Sequence, residues 1–320
     1  CDIFDAAPKS DIASMEHPLF TLSTKPDMTP RLYEMNDRWI ELKPSSIGLA
    51  TVFDRDILIY CISQCMAALN SGRQVHRTMR LSAHDVLKAT NRDTSDKGYA
   101  ASKAALTRLR STEIHTNITT GGVEQWEVFG FIDAAKTIRK SREGRMLAVE
   151  VTLSDWLFNA IDAKRGDILT ISPQYFQLRK PLERRLYELA RKHCGKQDIW
   201  RIGLDKLQHK TGSTSTAKEF KRLVKAICRA DEAQSHMPDY RFRLLHDVLE
   251  ITPKPEFLEI YGDSPSFASE VSVRLSSDAY DQARKAAPTW DVYALEQEWR
   301  MWMNDPPRHP DAAFVGFCRK

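Results

Sequence analysis

At 320 residues, 42% hydrophobic and 28% charged, the chain is long enough for two compact domains with separate cores, and its composition is that of a soluble globular protein. No run approaches the ~18 uncharged apolar residues of a membrane span, and the N-terminus lacks a charged-then-apolar secretion signal, so a cytoplasmic location is expected. Its first residue is Cys1 rather than Met, the start expected of a trimmed chain. Six cysteines in this length make no disulfide scaffold, and no CxxC pair occurs. Cys61 and Cys65, four apart, read as small core residues, and the adjacent His193 and Cys194 lack zinc-ligand spacing. No metal or cofactor is expected.

The formal net charge of +4 conceals an uneven distribution. Residues 1–163 carry 20 Lys/Arg against 21 Asp/Glu, residues 164–230 carry 17 against 6, and residues 231–320 carry 10 against 16. The middle block therefore has a strong positive field, which suits a polyanion. A solvated basic face without a partner is the alternative that charge alone leaves open.

Residues 1–30 hold four prolines and no period, and read as a flexible arm. Arg31–Met35 and Arg38–Lys43, flanking Asn36–Asp37, read as a hairpin. Thr51 or Asp54 is placed to cap a long helix to about Asn70, closed by Ser71–Gly72, with apolar residues at three- and four-residue steps from Ile57 to Leu69. A β-like stretch, His76–Leu81, precedes Ser82–Asp85, which resembles a capping box opening a short helix to about Ala89. After a loop at Asn91–Gly98, Tyr99–Ser111 returns to helical spacing. Leu106 and Leu109 point inward there, while Lys103, Thr107 and Arg110 occupy another face beside Arg108. Two extended runs follow, Glu113–Ile118 and Val123–Ile132, joined by Thr119–Gly122. Three helices and then a hairpin is the order of a winged helix, with this hairpin as the wing. A strand at Met146–Thr152 and a helix at Ser154–Ile161 complete the unit, and Arg139, Lys140, Arg142 and Arg145 form a basic run within it.

The second half repeats that order. A helix starts at Pro181 and ends just before Gly195, with Leu182, Leu186, Leu189 and Ala190 as its apolar stripe. Ile199–Ile202 is β-like, Leu204–Thr211 is a short helix ended by Gly212, and Ser213–Thr216 is a polar turn. Thr216–Ala230 is helical, and Tyr240–Leu245 with Val248–Thr252 form a second wing. Residues 253–270, rich in Pro and Ser, read as a linker. A helical stretch spans Asp278–Met303, where Trp290, Trp299 and Trp302 cluster.

Thr216–Ala230 carries the chemistry. Phe220, Leu223, Val224 and Ile227 make one core-facing stripe, and Lys218, Lys221, Arg222, Lys225 and Arg229 lie opposite, with Glu219 the one acid. Like charges three or four apart repel by a few tenths of a kcal/mol per pair. A phosphate backbone cancels that repulsion and releases counterions. The segment reads as a recognition helix, with Arg222 and Lys225 as candidates for guanine edges, the other cations for phosphates, and Ser215 and Thr216 beside its start. Lys103, Thr107, Arg108 and Arg110 make a weaker second DNA-facing set, with an ordinary solvated helix face as the alternative, and the run holding Arg139 and Lys140 reads as a solvated loop with an occasional phosphate contact. No GxxxxGK[ST], GxGxxG or GxSxG motif occurs, and no His-x-His pair accompanies a tyrosine as a nicking enzyme requires. Asp54 and Asp56 are explained by N-capping rather than catalysis, so no enzyme is expected.

Arg184-Arg-Leu-Tyr-Glu-Leu-Ala190 and, some thirty residues on, Glu219-Phe-Lys-Arg-Leu-Val224 resemble the two signature helices of the theta-type plasmid replication initiators. The Arg31–Asp56 region resembles their replication initiator protein A subgroup, and the likeness covers about residues 30–255. The resemblance implies an α+β fold of two tandem winged-helix domains, at 31–163 (dimerisation and DNA) and 164–255 (DNA recognition). A linker at 256–270 and a C-terminal helical module at 271–320 follow. It implies a bacterial, cytoplasmic protein that binds repeated double-stranded origin sites (iterons), opens adjacent AT-rich DNA and recruits the host initiator and replicative helicase. It also implies a dimer that represses its own gene and a monomer that initiates. The alternatives are a winged-helix repressor or partition protein and a nicking nuclease.

Overall fold

The computed structural model of the protein describes residues 6–35, 38–117, 127–139, 146–162, 168–194, 198–261, 275–287, 292, 295–296, 299, 307 and 309–319. The chain divides into two compact units, residues 1–192 with 210–213 and residues 193–209 with 214–320. Residues 164–192, placed at sequence level with the second winged helix, thus fall in the first unit.

In the first unit, β1 (Lys9–Asp11) and α1 (Ile12–Glu16) precede the hairpin β2 (Arg31–Met35) and β3 (Arg38–Lys43), while its turn at Asn36–Asp37 lies outside the described residues. The helix α2 (Arg55–Asn70) ends where expected, with Gly72 at φ +70°. β4 (Thr78–Ser82) leads into α3 (Ala83–Ala89), where the Ser82 hydroxyl accepts the Asp85 N–H at 3.3 Å. The next helix, α4 (Asp96–Ser111), starts three residues earlier than its periodicity suggests. Gly98 permits this, because a Cβ there would lie 1.7 Å from the Asp93 carbonyl oxygen.

The first wing needs correction. β5 (Glu113–Thr116) and β6 (Glu127–Phe129) do pair, but they extend the β2–β3 hairpin into a four-stranded sheet of order β2-β3-β5-β6. The strands that complete the winged helix are β7 (Ile132–Arg139) and β8 (Met146–Leu153), in a sheet of order β4-β8-β7. The run expected as one strand at Val123–Ile132 breaks at Gly130, where the chain passes so close to α4 that a Cβ would lie 2.8 Å from the Arg110 carbonyl. Phe131 then donates its N–H to Leu109 O. The helix α5 (Asp155–Asp162) follows, and one core gathers α2, α4 and the inner sides of both sheets.

Residues 6–30 are not a loose arm. β1 pairs antiparallel with β9 (Ile168–Thr170), Met15, Leu19 and Phe20 are buried, and Phe20 stacks on Phe131 with centroids 4.4 Å apart. Short mixed segments of this kind leave no periodic trace in the sequence.

After a 3-10 turn at Pro173–Gln177 comes α6 (Pro181–His193), and its expected apolar stripe is buried. Glu183, Arg184, Arg185, Glu188 and Arg191 are buried too. Arg184 donates to Asp56 of α2 at 2.5 Å and to the carbonyls of Leu178 (2.9 Å) and Phe176 (3.3 Å), with its guanidinium over the Phe53 and Tyr175 rings. Arg55 of α2 pairs with Glu188 and donates to the Ser10 and Ser14 hydroxyls, each at 2.7 Å. Glu188 also accepts from the Tyr175 hydroxyl (2.6 Å) and Arg185 (3.2 Å). Asp56 is therefore an ion-pair partner, not a cap. Asp54 accepts a bidentate pair from Arg108 at 2.7 and 2.8 Å, and its side chain caps no N–H of α2.

The second unit carries β10 (Trp200–Gly203), α7 (Leu204–Thr211) through His209, α8 (Ala217–Gln234), β11 (Tyr240–Leu245) and β12 (Val248–Pro253). Its sheet has the order β10-β12-β11. With α6 leading, this is again the chain order of a winged helix. The segment expected as a linker starts with a helix, α9 (Pro255–Tyr261): Pro255 holds its first position and Glu256 its first turn. Toward the C-terminus, α10 (Ser277–Ala286) and α11 (Pro310–Phe317) share a small core with Trp299, which packs 5.4 Å from Phe314. Trp290 and Trp302 lie outside the described residues. No helix among the described residues is long and apolar enough to cross a membrane.

Two measurements test this frame. Replacing Asp56 or Glu188 with Ala leaves an arginine buried without its acid, and urea unfolding should show a loss of roughly 3–5 kcal/mol; a loss below about 1 kcal/mol would mean that these pairs do not hold α6 to α2. His17 is held neutral chiefly by burial, helped by Lys192, Arg185 and Lys210 against Glu16, which brings its pKa down to about 4. The unfolded chain therefore takes up this proton near pH 6.5 and the folded chain only near 4, so stability is complete at neutral pH and falls as the pH drops through that window. His17→Gln should flatten the dependence between pH 6 and 4.5 by up to about 1.4 kcal/mol per pH unit. An unchanged slope would contradict the burial.

Candidate nucleic-acid interface

The Thr216 side chain opens α8 by accepting the Glu219 N–H at 3.3 Å, and the helix runs four residues beyond its expected end. Phe220, Val224 and Ile227 are buried, Leu223 is half-buried, and Lys218, Lys221, Arg222, Lys225 and Arg229 are all exposed. Burying three such side chains contributes about 1.5–3 kcal/mol each, which fixes the helix rotation and with it the outward aim of the cations. The extension adds Asp231, which is buried, and Glu232, which is exposed.

Asp231 locks α8 to the wing. Its carboxylate accepts the N–H groups of Met237 and Phe242, both at 2.9 Å, and Lys254 stands 3.8 Å away. Ser235 takes a left-handed conformation at φ +49° to turn the chain toward β11. The second wing therefore sits at a set angle to the helix. Its outward residues include Arg241 and Arg243, both exposed and unpaired among the described residues, while Phe242 and Tyr240 point inward. Sequence reasoning passed over these two arginines, although the alternation of YRFR was a readable strand signal.

The rim cations fall into two groups. Lys221 pairs with Asp247 in the wing turn at 2.6 Å, and Arg222 makes a bidentate pair with Glu219 at 2.6 and 2.7 Å, which holds the Glu219 carboxyl below its usual range. These pairs are solvent-exposed and therefore weak. Lys218, Lys225 and Arg229 have no ion-pair partner among the described residues. Ser215 is half-buried, with its carbonyl accepting Gln208 Nε2 at 2.6 Å.

In the first winged helix, α4 exposes Lys103, Thr107 and Arg110 on one face, as expected. Arg108 does not join them: its guanidinium is committed to Asp54, and that bond holds its pKa above the usual value. Thr107 donates its hydroxyl to the Lys103 carbonyl at 3.0 Å. Arg139 ends β7 at the first wing, while Lys140, Arg142 and Arg145 lie outside the described residues. No group of three or more His, Cys, Asp or Glu among the described residues is placed to hold a metal ion.

Two winged-helix folds in tandem define the class of this chain. It belongs to the family described as Replication initiator protein A, whose model matches residues 9–242, and it is a DNA replication initiator protein. It is 37% identical over 252 residues to a protein of Wigglesworthia glossinidia brevipalpis named for a role in replication, an alignment covering 77% of this chain and 89% of that one. The fold is similar to two crystal structures of domains 2 and 3 of RctB. One gives a TM-score of 0.58 at 12% identity, covering 76% of this chain and 98% of the other, and the second gives 0.52 at 14% identity, covering 77% and 98%.

The contrast within α4 is testable. Arg108→Ala should lower stability while Lys103→Ala leaves the melting temperature unchanged; equal stability of the two variants would show that the Arg108–Asp54 pair contributes nothing.

Proposed function

We propose that the protein initiates replication by binding repeated double-stranded origin sites with α8 in the major groove and the β11 arginines on the flanking backbone. The observation that carries this reading is the split of α8 into a buried apolar stripe and an exposed rim of five cations, beside two further exposed cations on the wing. A rim of like charge is self-repulsive in the free protein, and an anionic helix relieves that repulsion. Arg222 and Lys225 face guanine edges, and Lys218, Lys221 and Arg229 face phosphates. Lys221 and Arg222 exchange their weak internal pairs for DNA at small cost. The Lys103, Thr107 and Arg110 face of α4 supplies a second, lighter contact.

In this reading the protein acts by binding alone. It opens the neighbouring AT-rich stretch, recruits the host initiator and helicase, and represses its own gene as a dimer. It has no catalytic step of its own.

Binding to origin DNA across a salt series tests the assignment. Lys218→Ala or Arg229→Ala should weaken binding to every sequence, and for each phosphate contact removed the salt slope should fall by about one. Arg222→Ala should lose roughly 1–3 kcal/mol and relax base preference. Single alanine variants of Lys218, Lys221, Arg222, Lys225 and Arg229 that all bind like the parent would end the proposal. Permanganate reactivity of thymines next to the sites separates initiator from repressor, since only the initiator unpairs them. Supercoiled origin plasmid incubated with protein and Mg2+ should stay supercoiled; relaxed product would favour a nicking enzyme.

A further inference from the structure

Beside the buried Asp56–Arg184 pair, the first unit holds a cavity of about 370 Å3 whose lining includes Phe53, Arg92, Lys97, Gly98, Arg179 and Arg184. Two acids, Asp56 and Asp93, also line it, and both are engaged. Asp56 faces Arg184 at 2.5 Å and Arg92 at 3.5 Å, and Asp93 accepts the Ser95 N–H at 2.9 Å and the Ser95 hydroxyl. Lys97 and Arg179 are exposed and enter no ion pair among the described residues. Four cations against two acids leave the cavity with a surplus of positive charge.

The backbone adds to that field. Because the Ser95 hydroxyl is turned to Asp93, α4 starts with no side-chain cap, although it is 16 residues long. Its first-turn N–H groups, at Asp96, Lys97 and Gly98, lack intrahelical acceptors and carry the positive end of the helix dipole. Gly98 and Lys97 both border the cavity.

We propose that this cavity is a phosphate-binding site, separate from α8, in which Arg92, Lys97, Arg179 and the amino end of α4 hold a phosphate group. Arg184 forms the floor: each of its three guanidinium nitrogens already donates once, to Leu178, Asp56 or Phe176, so it contributes chiefly charge and shape. The phosphate has two possible sources, a free nucleotide or the backbone of DNA lying along α4. The assignment stands whether or not α8 reads DNA.

Calorimetric titration of the full-length protein with inorganic pyrophosphate and with ADP, together with a DNA salt series, tests the site. The double variant Lys97→Ala/Arg179→Ala changes two exposed, unpaired side chains and should keep the parent's melting temperature; Lys88→Ala, exposed on α3, is the control. A nucleotide source predicts that ADP and pyrophosphate bind the parent and the control, bind the double variant at least tenfold more weakly, and leave its DNA affinity intact. A DNA source predicts that pyrophosphate competes with DNA and that the double variant's salt slope falls by about two on every sequence. If the double variant matches the parent in both phosphate binding and salt slope, the proposal is wrong.

Discussion

The frame depends on charges placed where water does not reach. Arg55 and Asp56, adjacent on α2, meet Glu188 and Arg184 on α6 with side chains no more than 3% exposed. Such pairs add little net stability compared with apolar residues of the same volume, but they are intolerant of error, because each charge requires its particular partner. They fix α6 against α2 in one register, and the Ser10, Ser14 and Tyr175 hydroxyls complete the bonding. The polar N-terminal residues and the 3-10 turn are ordered around the same cluster.

That cluster changes the meaning of the basic block between residues 164 and 230. Arg184, Arg185 and Arg191 belong to it by sequence but are buried, and Lys192 and Lys210 both pair with Glu16. Among the described residues the largest group of exposed cations in the segment is therefore that on α8, beside which β11 sets two more arginines. Net charge along a sequence overstates the field at a surface whenever the fold consumes part of it. Here enough remains on one helix face for a phosphate backbone.

The second winged helix was legible almost element by element. Its helices have clear apolar periods, Gly212 marks a stop, and the alternation of Tyr240 and Phe242 with Arg241 and Arg243 marks a strand. The α8 rim was read correctly as exposed because Phe220, Val224 and Ile227 leave that helix one stable rotation. The first wing was misplaced because β7, with Asp133-Ala-Ala-Lys136, lacks strand alternation, whereas β5 and β6 have it and serve another sheet. Ion pairing across 128 residues, as between Asp56 and Arg184, leaves no local mark, so Asp54 and Asp56 passed for caps and Arg108 for a DNA contact. Pro255 and Glu256 did carry a helix-start signal inside the stretch taken for a linker.

The central claim is that the cation-bearing side of α8 lies against DNA. Ala226 is exposed on that helix, next to Lys225. An iron chelate tethered to Ala226→Cys delivers hydroxyl radicals over a short radius, and the positions of the resulting strand cuts report what faces the helix. Cuts confined to the origin repeats, recurring once per repeat, are the result predicted. Protein that stays bound to the origin while its tethered chelate leaves the repeats uncut would contradict the account.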